Sequence, residues 1–156
     1  MSTLVQRVVN VAKLDVPTFE EVEHNESLNQ EAGIVVAAAS AIGALGQLLT
    51  GGGILGFIFA VIMGIVGWLL WSLIVSVIAS KVFGGTTDFG EMLRATGYAW
   101  APMAIPFIGW IWALVAIVVG IRQAGDFSTG KAVITAIAGF IPWALGMGLI
   151  TTLVGG

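Results

Sequence analysis

Residues 54–80 read ILGFIFAVIMGIVGWLLWSLIVSVIAS, a run of 27 residues without a charged side chain. An α-helix rises 1.5 Å per residue, so this run would measure about 40 Å as a helix, more than the roughly 30 Å hydrocarbon core of a bilayer. Apolar runs of this length are typical of transmembrane helices. The run therefore predicts a helix that crosses a membrane.

The rest of the chain has the same character. Of its 156 residues, 58% are hydrophobic and only 10% are charged, whereas about 25% of a typical soluble domain is charged. Residues 32–80, 95–121 and 132–156 carry no charge. This composition excludes an ordinary water-soluble domain and predicts an all-α, polytopic transmembrane bundle.

Glycine-rich and polar breaks divide the chain into five predicted spans, at about residues 28–49, 54–80, 90–105, 108–121 and 132–153. Residues 92–121 would measure about 45 Å as one helix, which is too long for a single crossing. Pro102 and Pro106 lack the amide hydrogens that a continuous helix uses, so they predict a helix break. We expect two short spans that meet near Phe107 at the outer surface.

The distribution of basic residues gives an orientation, because Lys and Arg accumulate on the cytoplasmic side of membrane proteins. Five spans with a cytoplasmic amino terminus place all six basic residues on that side, and four of them fall in or beside the cytoplasmic loops: Lys81, Arg94, Arg122 and Lys131, the other two being Arg7 and Lys13. Four spans fit this rule less well. The carboxyl terminus would then lie outside.

Residues 1–27 form a predicted cytoplasmic head, separate from a bundle of residues 28–156. Met1–Leu14 has the pattern of a short amphipathic helix, which suits either the membrane surface or packing on the protein itself. An acidic segment follows, with six carboxylates in the first 31 residues. We expect the head to be a docking surface for basic partners, and its removal to leave folding intact.

Small residues recur at four-residue spacing along the second predicted span. They form a candidate helix-packing face, here called the seam: Gly56, Ala60, Gly64, Ser72 and Ser76. Such faces let two helices approach closely. The contact lies either within the bundle or at a subunit interface. Three tryptophans fall mid-span, where they contact lipid or a pigment, or fill space opposite glycines: Trp68, Trp71 and Trp143.

No pattern of catalytic, cofactor-binding or metal-binding residues is present. The chain has no cysteine, and its one histidine, His24, lies among acidic residues of the head. The sequence contains no metalloprotease, P-loop or nucleophile-elbow motif and no basic footprint for nucleic acid. None of its ionisable residues falls well inside a predicted span, as a proton relay would require. We therefore expect a protein that is not an enzyme.

The chain resembles the Yip1-domain membrane proteins, specifically their short bacterial members. The resemblance rests on three stretches: Pro17-Thr-Phe-Glu-Glu-Val22 leading to residues 30–36, Leu93-Arg-Ala-Thr-Gly-Tyr98 followed by Pro102 and Pro106, and Ser128-Thr-Gly-Lys-Ala132. It implies a five-span bundle with a cytoplasmic amino terminus, in a bacterial inner membrane. Eukaryotic relatives bind prenylated small GTPases, but their Asp-Leu-Tyr-Gly-Pro signature is missing here, which argues against a GTPase partner.

Two functions follow as hypotheses. The first is a non-enzymatic scaffold or accessory subunit, which packs in the bilayer against other integral membrane proteins or a second copy of itself. The alternative is a small-solute channel or transporter built around the segment from Pro102 to Pro106. A continuous polar path through the bundle would favour transport.

Overall fold

The computed structural model describes residues 2–49, 51–105 and 107–155, and these residues form helices and connections without a strand. This all-helical architecture confirms the all-α part of the predicted fold class. In chain order the helices are α1 (Leu4–Ala12), α2 (Val16–His24), α3 (Asn29–Ala44), α4 (Gly53–Lys81), α5 (Phe89–Ala99), α6 (Gly109–Ala124) and α7 (Thr129–Gly155). Short 3-10 segments cover Glu26–Leu28, Leu45–Leu48 and Ala101–Ala104.

Three helical stretches in the described residues are long and apolar enough to cross a membrane: Glu26–Leu48, Gly53–Lys81 and Thr129–Val154. They correspond to the first, second and fifth predicted spans. The two remaining predicted spans correspond to α5 with the 3-10 segment that follows it, and to α6; α5 and α6 themselves have 11 and 16 residues and measure about 16 and 24 Å. Both helices are shorter than a hydrocarbon core of roughly 30 Å. The five-span count is therefore not confirmed.

Helices α5 and α6 form a hairpin (residues 89–124) with a break in the middle of the third hydrophobic stretch. Pro102 is buried in the 3-10 segment Ala101–Ala104, and Pro106 lies outside the described residues. Phe107 has a left-handed φ of 66°. A Cβ atom on Gly109 would overlap the carbonyl oxygen of Pro102. Only glycine therefore fits where the chain turns back into α6.

Helix α4 is the centre of the bundle, since α3, α5 and α7 all pack on it while α6 packs on α5 and α7. The core between these helices contains the buried side chains of Trp68, Val75, Met92, Tyr98 and Ile121. Large apolar side chains on the outer faces of α4 and α7 remain exposed. Exposed apolar faces of this kind suit a lipid surround.

The head packs on the hairpin, which is one of the two placements that the sequence left open for its amphipathic helix. Val11, Phe19 and Val22 are fully buried, and α2 contacts both α5 and α6. The ring of Phe19 lies against Gly120 of α6. Each short helix has one apolar face, and burying that face is favourable by about 25 cal/mol per Å². The head and the hairpin therefore share one core.

Candidate functional site

The seam on α4 faces other helices of the same chain. Gly64 lies against Ser40 of α3, and a Cβ added to Gly64 would stand 2.8 Å from the Cβ of Ser40. Farther along, Ser72 Oγ and Thr96 Oγ1 form a 2.8 Å hydrogen bond between α4 and α5. Ser76 is buried and donates to the carbonyl of Leu73 within its own helix. The other two seam residues, Gly56 and Ala60, are half-buried.

The mid-span tryptophans pack against glycines of neighbouring helices. Gly97 of α5 lies in contact with the indole of Trp68, and Trp143 Nε1 donates to the carbonyl of Gly67 at 2.8 Å. Trp71 and Trp143 meet edge to face with their ring centroids 6.0 Å apart. They border an apolar cleft of about 130 Å³, together with Trp100, Met103, Leu114, Ile117 and Phe140. The close approach of α5 and α7 to α4 depends on these contacts between tryptophan and glycine.

Polar contacts join two connections into one charged end of the molecule, beside the end of α2. The connections are residues 82–88, after α4, and 125–128, before α7. Lys131 Nζ donates to the carbonyl of Phe83 at 3.3 Å, and Thr86 Oγ1 donates to Asp126 at 2.5 Å. The predicted cytoplasmic residues Lys81 and Lys131 are exposed, and Arg122 is half-buried.

Arg94 is different, because it is buried with only 3% of its surface exposed. Its Nε donates to the carbonyls of Val22 and Glu23, each at 3.0 Å, and one terminal nitrogen donates again to Glu23. The other terminal nitrogen donates to Asn29 Oδ1 at 2.9 Å. The last carbonyls of a helix have no partner within it and carry the negative end of its dipole. Arg94 therefore caps α2 and ties the head to α5.

A second network joins α1, α3 and α5. The buried Arg7 pairs with Glu31, and its Nε donates to the hydroxyl of Tyr98 at 3.3 Å. Tyr98 in turn donates to Glu31 Oε2 at 2.7 Å. Buried charges are tolerated when they are paired and hydrogen-bonded in this way. Sequence reasoning missed this triad, because partners 91 and 67 residues apart leave no local spacing to detect.

Glu23 carries a buried carboxyl group that is incompletely bonded. One carboxyl oxygen lies 3.3 Å from His24 Nδ1, while Oε2 has no hydrogen-bond partner. Burial raises the pKa of Glu23 from its ordinary 4.5 to about 7, partly offset by His24 and reinforced by Asp126 and Glu91. Because the folded state holds the proton more tightly, this group stabilises the fold below pH of about 4.5, and the contribution is lost as pH rises through about 7.

Metal binding near His24 finds no support in the described part of the chain. No group of three histidine, aspartate or glutamate side chains there could hold a metal ion. The His24 ring instead contacts the carbonyl of Glu20 in the preceding turn. The polar side chains described above join helices, and none is arranged as a nucleophile with a base.

One family model covers the long apolar helices, the broken hairpin and the Arg94 region together. The family model described as Yip1 domain matches residues 17–153, which is most of the chain. The chain belongs to the Yip1 domain family. The matched region of this Yip1 protein begins in α2 and ends in α7, so it includes α2 as well as the bundle. No curated protein and no solved structure matches the chain.

Proposed function

We propose that this Yip1 protein is a non-enzymatic membrane scaffold or accessory subunit, whose charged end lies in the cytoplasm of a bacterium and binds other membrane proteins. One observation carries the proposal: Arg94 and Arg7 are used to fix the head on the hairpin. A rigid surface results, because the helices that display the exposed carboxylates of Glu20 and Glu26 are held in place.

The exposed carboxylates give this surface its specificity. Glu20 and Glu26 lie at the charged end, and Glu20 accepts a hydrogen bond from Gln123 of α6. Such a surface attracts basic segments, and the attraction weakens as salt screens it. The expected partners are integral membrane proteins with basic cytoplasmic segments, or a second copy of this chain.

The transport alternative finds less support. The described side chains around the helix break are apolar, and Ile105, Phe107 and Ile108 are exposed rather than turned into a polar channel. The hydroxyls of Ser72 and Thr96 are bonded to each other inside the bundle. A conducting path needs polar groups that line it.

Co-purification in mild detergent tests the scaffold. A variant with Glu20→Lys and Glu26→Lys should lose its associated membrane proteins, while a Gly148→Ala variant, altered at a site with open space around it, should keep them. Raising the salt concentration should reproduce the loss in the unmodified protein. If the double variant kept the same partners and the reconstituted protein conducted a solute, the scaffold proposal would be wrong and the transport function would take its place.

A further inference from the structure

The carboxyl group of Glu23 lies where the head is fixed to the hairpin. Glu23 is the last residue but one of α2 (Val16–His24), and only 3% of its surface is exposed. Its main-chain carbonyl accepts two hydrogen bonds from Arg94 of α5, and the preceding residue, Val22, is fully buried. A change in the charge of the Glu23 side chain therefore acts directly on the contact between α2 and the hairpin.

The surroundings of this carboxyl group favour its neutral form. Glu23 Oε2 is buried without a hydrogen-bond partner, and an ionised oxygen that loses water without gaining a donor is costly. Three further carboxylates add negative charge around it, namely Glu20 of α2, Glu91 of α5 and Asp126 of the connection before α7. Like charges oppose ionisation as well. Burial and these charges together raise the pKa of Glu23 to about 7.

The cations on the neighbouring elements do not neutralise the ionised form. His24 Nδ1 lies 3.3 Å from Glu23 Oε1, but 71% of the His24 side chain is exposed, so water screens this pair. The guanidinium of Arg94 donates to main-chain carbonyls of α2 rather than to this carboxyl group. Arg122 of α6 donates to Gln123. Within the described ranges, the ionised carboxyl group therefore has one exposed ion-pair partner.

Helix α2 is the part of the molecule that can respond to this charge. It has nine residues, and helices shorter than about 12–15 residues are marginal without packing. Arg94 and the buried side chains of Phe19 and Val22 hold it on the hairpin, whereas α4 packs on three long or buried helices at the centre of the bundle. Short peripheral elements open at a lower free energy than a core. We therefore expect ionisation of Glu23 to loosen α2 while the bundle stays folded.

We infer that Glu23 is a pH-dependent switch at the end of α2: the helix is held on the hairpin while the carboxyl group is protonated, and opens from it more often once the group is ionised. Opening gives the carboxylate access to water and uncovers the apolar face of α2, which carries Phe19 and Val22. The ligand of this switch is a proton. The switch goes beyond the scaffold function, because it needs no protein partner.

The pKa of Glu23 sets the range and the size of the effect. It is about 7 while α2 is closed and returns to the ordinary 4.5 once α2 opens. A difference of about 2.5 pH units changes the equilibrium constant for opening by about 300-fold in total. Because the closed form binds the proton more tightly, this constant rises with pH between about 4.5 and 7 and levels off above 7. Acidification therefore holds the head on the hairpin.

Hydrogen–deuterium exchange of the full chain in mild detergent tests the switch. The exchange rate of residues 16–24 is measured by mass spectrometry from pH 5 to 8 in wild type and in Glu23→Gln. The ratio of the two rates at each pH removes the chemical pH dependence of exchange. We expect this ratio to rise about 40-fold between pH 5 and 7 and less than a further twofold by pH 8. Glu26→Gln, which changes an exposed carboxyl group in the 3-10 segment after α2, should behave as wild type.

Three results would overturn the switch. The first is a wild-type rate that follows that of Glu23→Gln at every pH. The second is loss of the pH dependence in Glu26→Gln as well, which would show a general effect of charge. The third concerns residues 68–79 of α4, which should exchange more slowly than α2 at every pH. Equal protection of the two segments would show that α2 is released only when the whole fold opens.

Discussion

The contact between Gly64 and Ser40 allows a sharp test of how α3 and α4 pack. A Cβ on Gly64 would overlap Ser40 Oγ and stand 2.8 Å from Ser40 Cβ, whereas carbon atoms in contact are roughly 3.5–4.0 Å apart. Rotating the hydroxyl cannot relieve the second overlap. Gly64→Ala therefore forces the two helices apart by about 0.7 Å, and overpacking of this kind costs about 1–3 kcal/mol.

Ser40→Gly should rescue this variant. Without the serine side chain, the nearest atom of residue 40 is its Cα, 4.0 Å from the added Cβ. Ser40 Oγ has no hydrogen-bond partner, so its removal breaks no bond. We expect a coupling of at least about 1 kcal/mol between the two substitutions in a double-mutant cycle. Gly43→Ala is the control for the intrinsic preference of a helix for alanine. Gly43 lies on α3, as Ser40 does, and has open space around it.

The assay is unfolding in mixed detergent micelles, followed by circular dichroism, for the four members of the cycle and the Gly43→Ala control. Gly64→Ala should lower the free energy of unfolding, and Gly43→Ala should not. Additive effects, in which the double variant is as unstable as the sum of the single ones, would refute the close contact between α3 and α4.

Three further substitutions probe the head and its attachment, each measured by unfolding in the same detergent. Phe19→Ala should cost about 3–5 kcal/mol because the ring is fully buried, whereas Val5→Ala, 67% exposed, should be near neutral; equal effects would show that the head is detached. Arg94→Lys should cost about 2 kcal/mol, since an ammonium group cannot match the forked contacts of Arg94; an unchanged stability would contradict its role as a cap. In the wild type, ionisation of Glu23 should lower the free energy of unfolding by up to about 3 kcal/mol as pH rises from about 4.5 to 7, and Glu23→Gln should abolish this dependence. A difference in stability between wild type and variant that does not change with pH would exclude the protonated carboxyl group.

Parts of the fold that depend on local sequence could be predicted. The long apolar runs anticipate α4 and α7, because their signal is length and absence of charge. Pro102 and the turn near Phe107 anticipate a hairpin with a break. The contacts of that hairpin with α3 and with the head could not be predicted, since they join residues that are far apart in the sequence. The topology rules behind the five-span expectation count charges, and a hairpin that returns to its own side satisfies them equally well.

The attachment of the head was left open by the sequence for a different reason. Phe19 and Val22 occupy the apolar face of a nine-residue helix, and such a short helix has the same pattern whether it lies on a membrane or on protein. The charge rule places Arg94 in or beside a cytoplasmic loop, and nothing in the sequence indicates that its side chain is buried. Its partners are backbone carbonyls and a side-chain amide. Backbone carbonyls leave no trace in a sequence. A buried arginine held by them can be recognised only once the chain is folded.

The bonds from Arg94 to α2 also constrain the order in which the chain can assemble. The carbonyls of Glu23 and Val22 receive their donor from a residue 71 and 72 positions later. At a synthesis rate of about 5–20 residues per second, that donor emerges roughly 4–14 s after the helix it caps. During this interval α2 lacks its cap, and both α1 and α2 lack the apolar surface of the hairpin. The amino-terminal segment therefore emerges from the ribosome before it can pack fully. It reaches its final structure only after the third hydrophobic stretch has been synthesised.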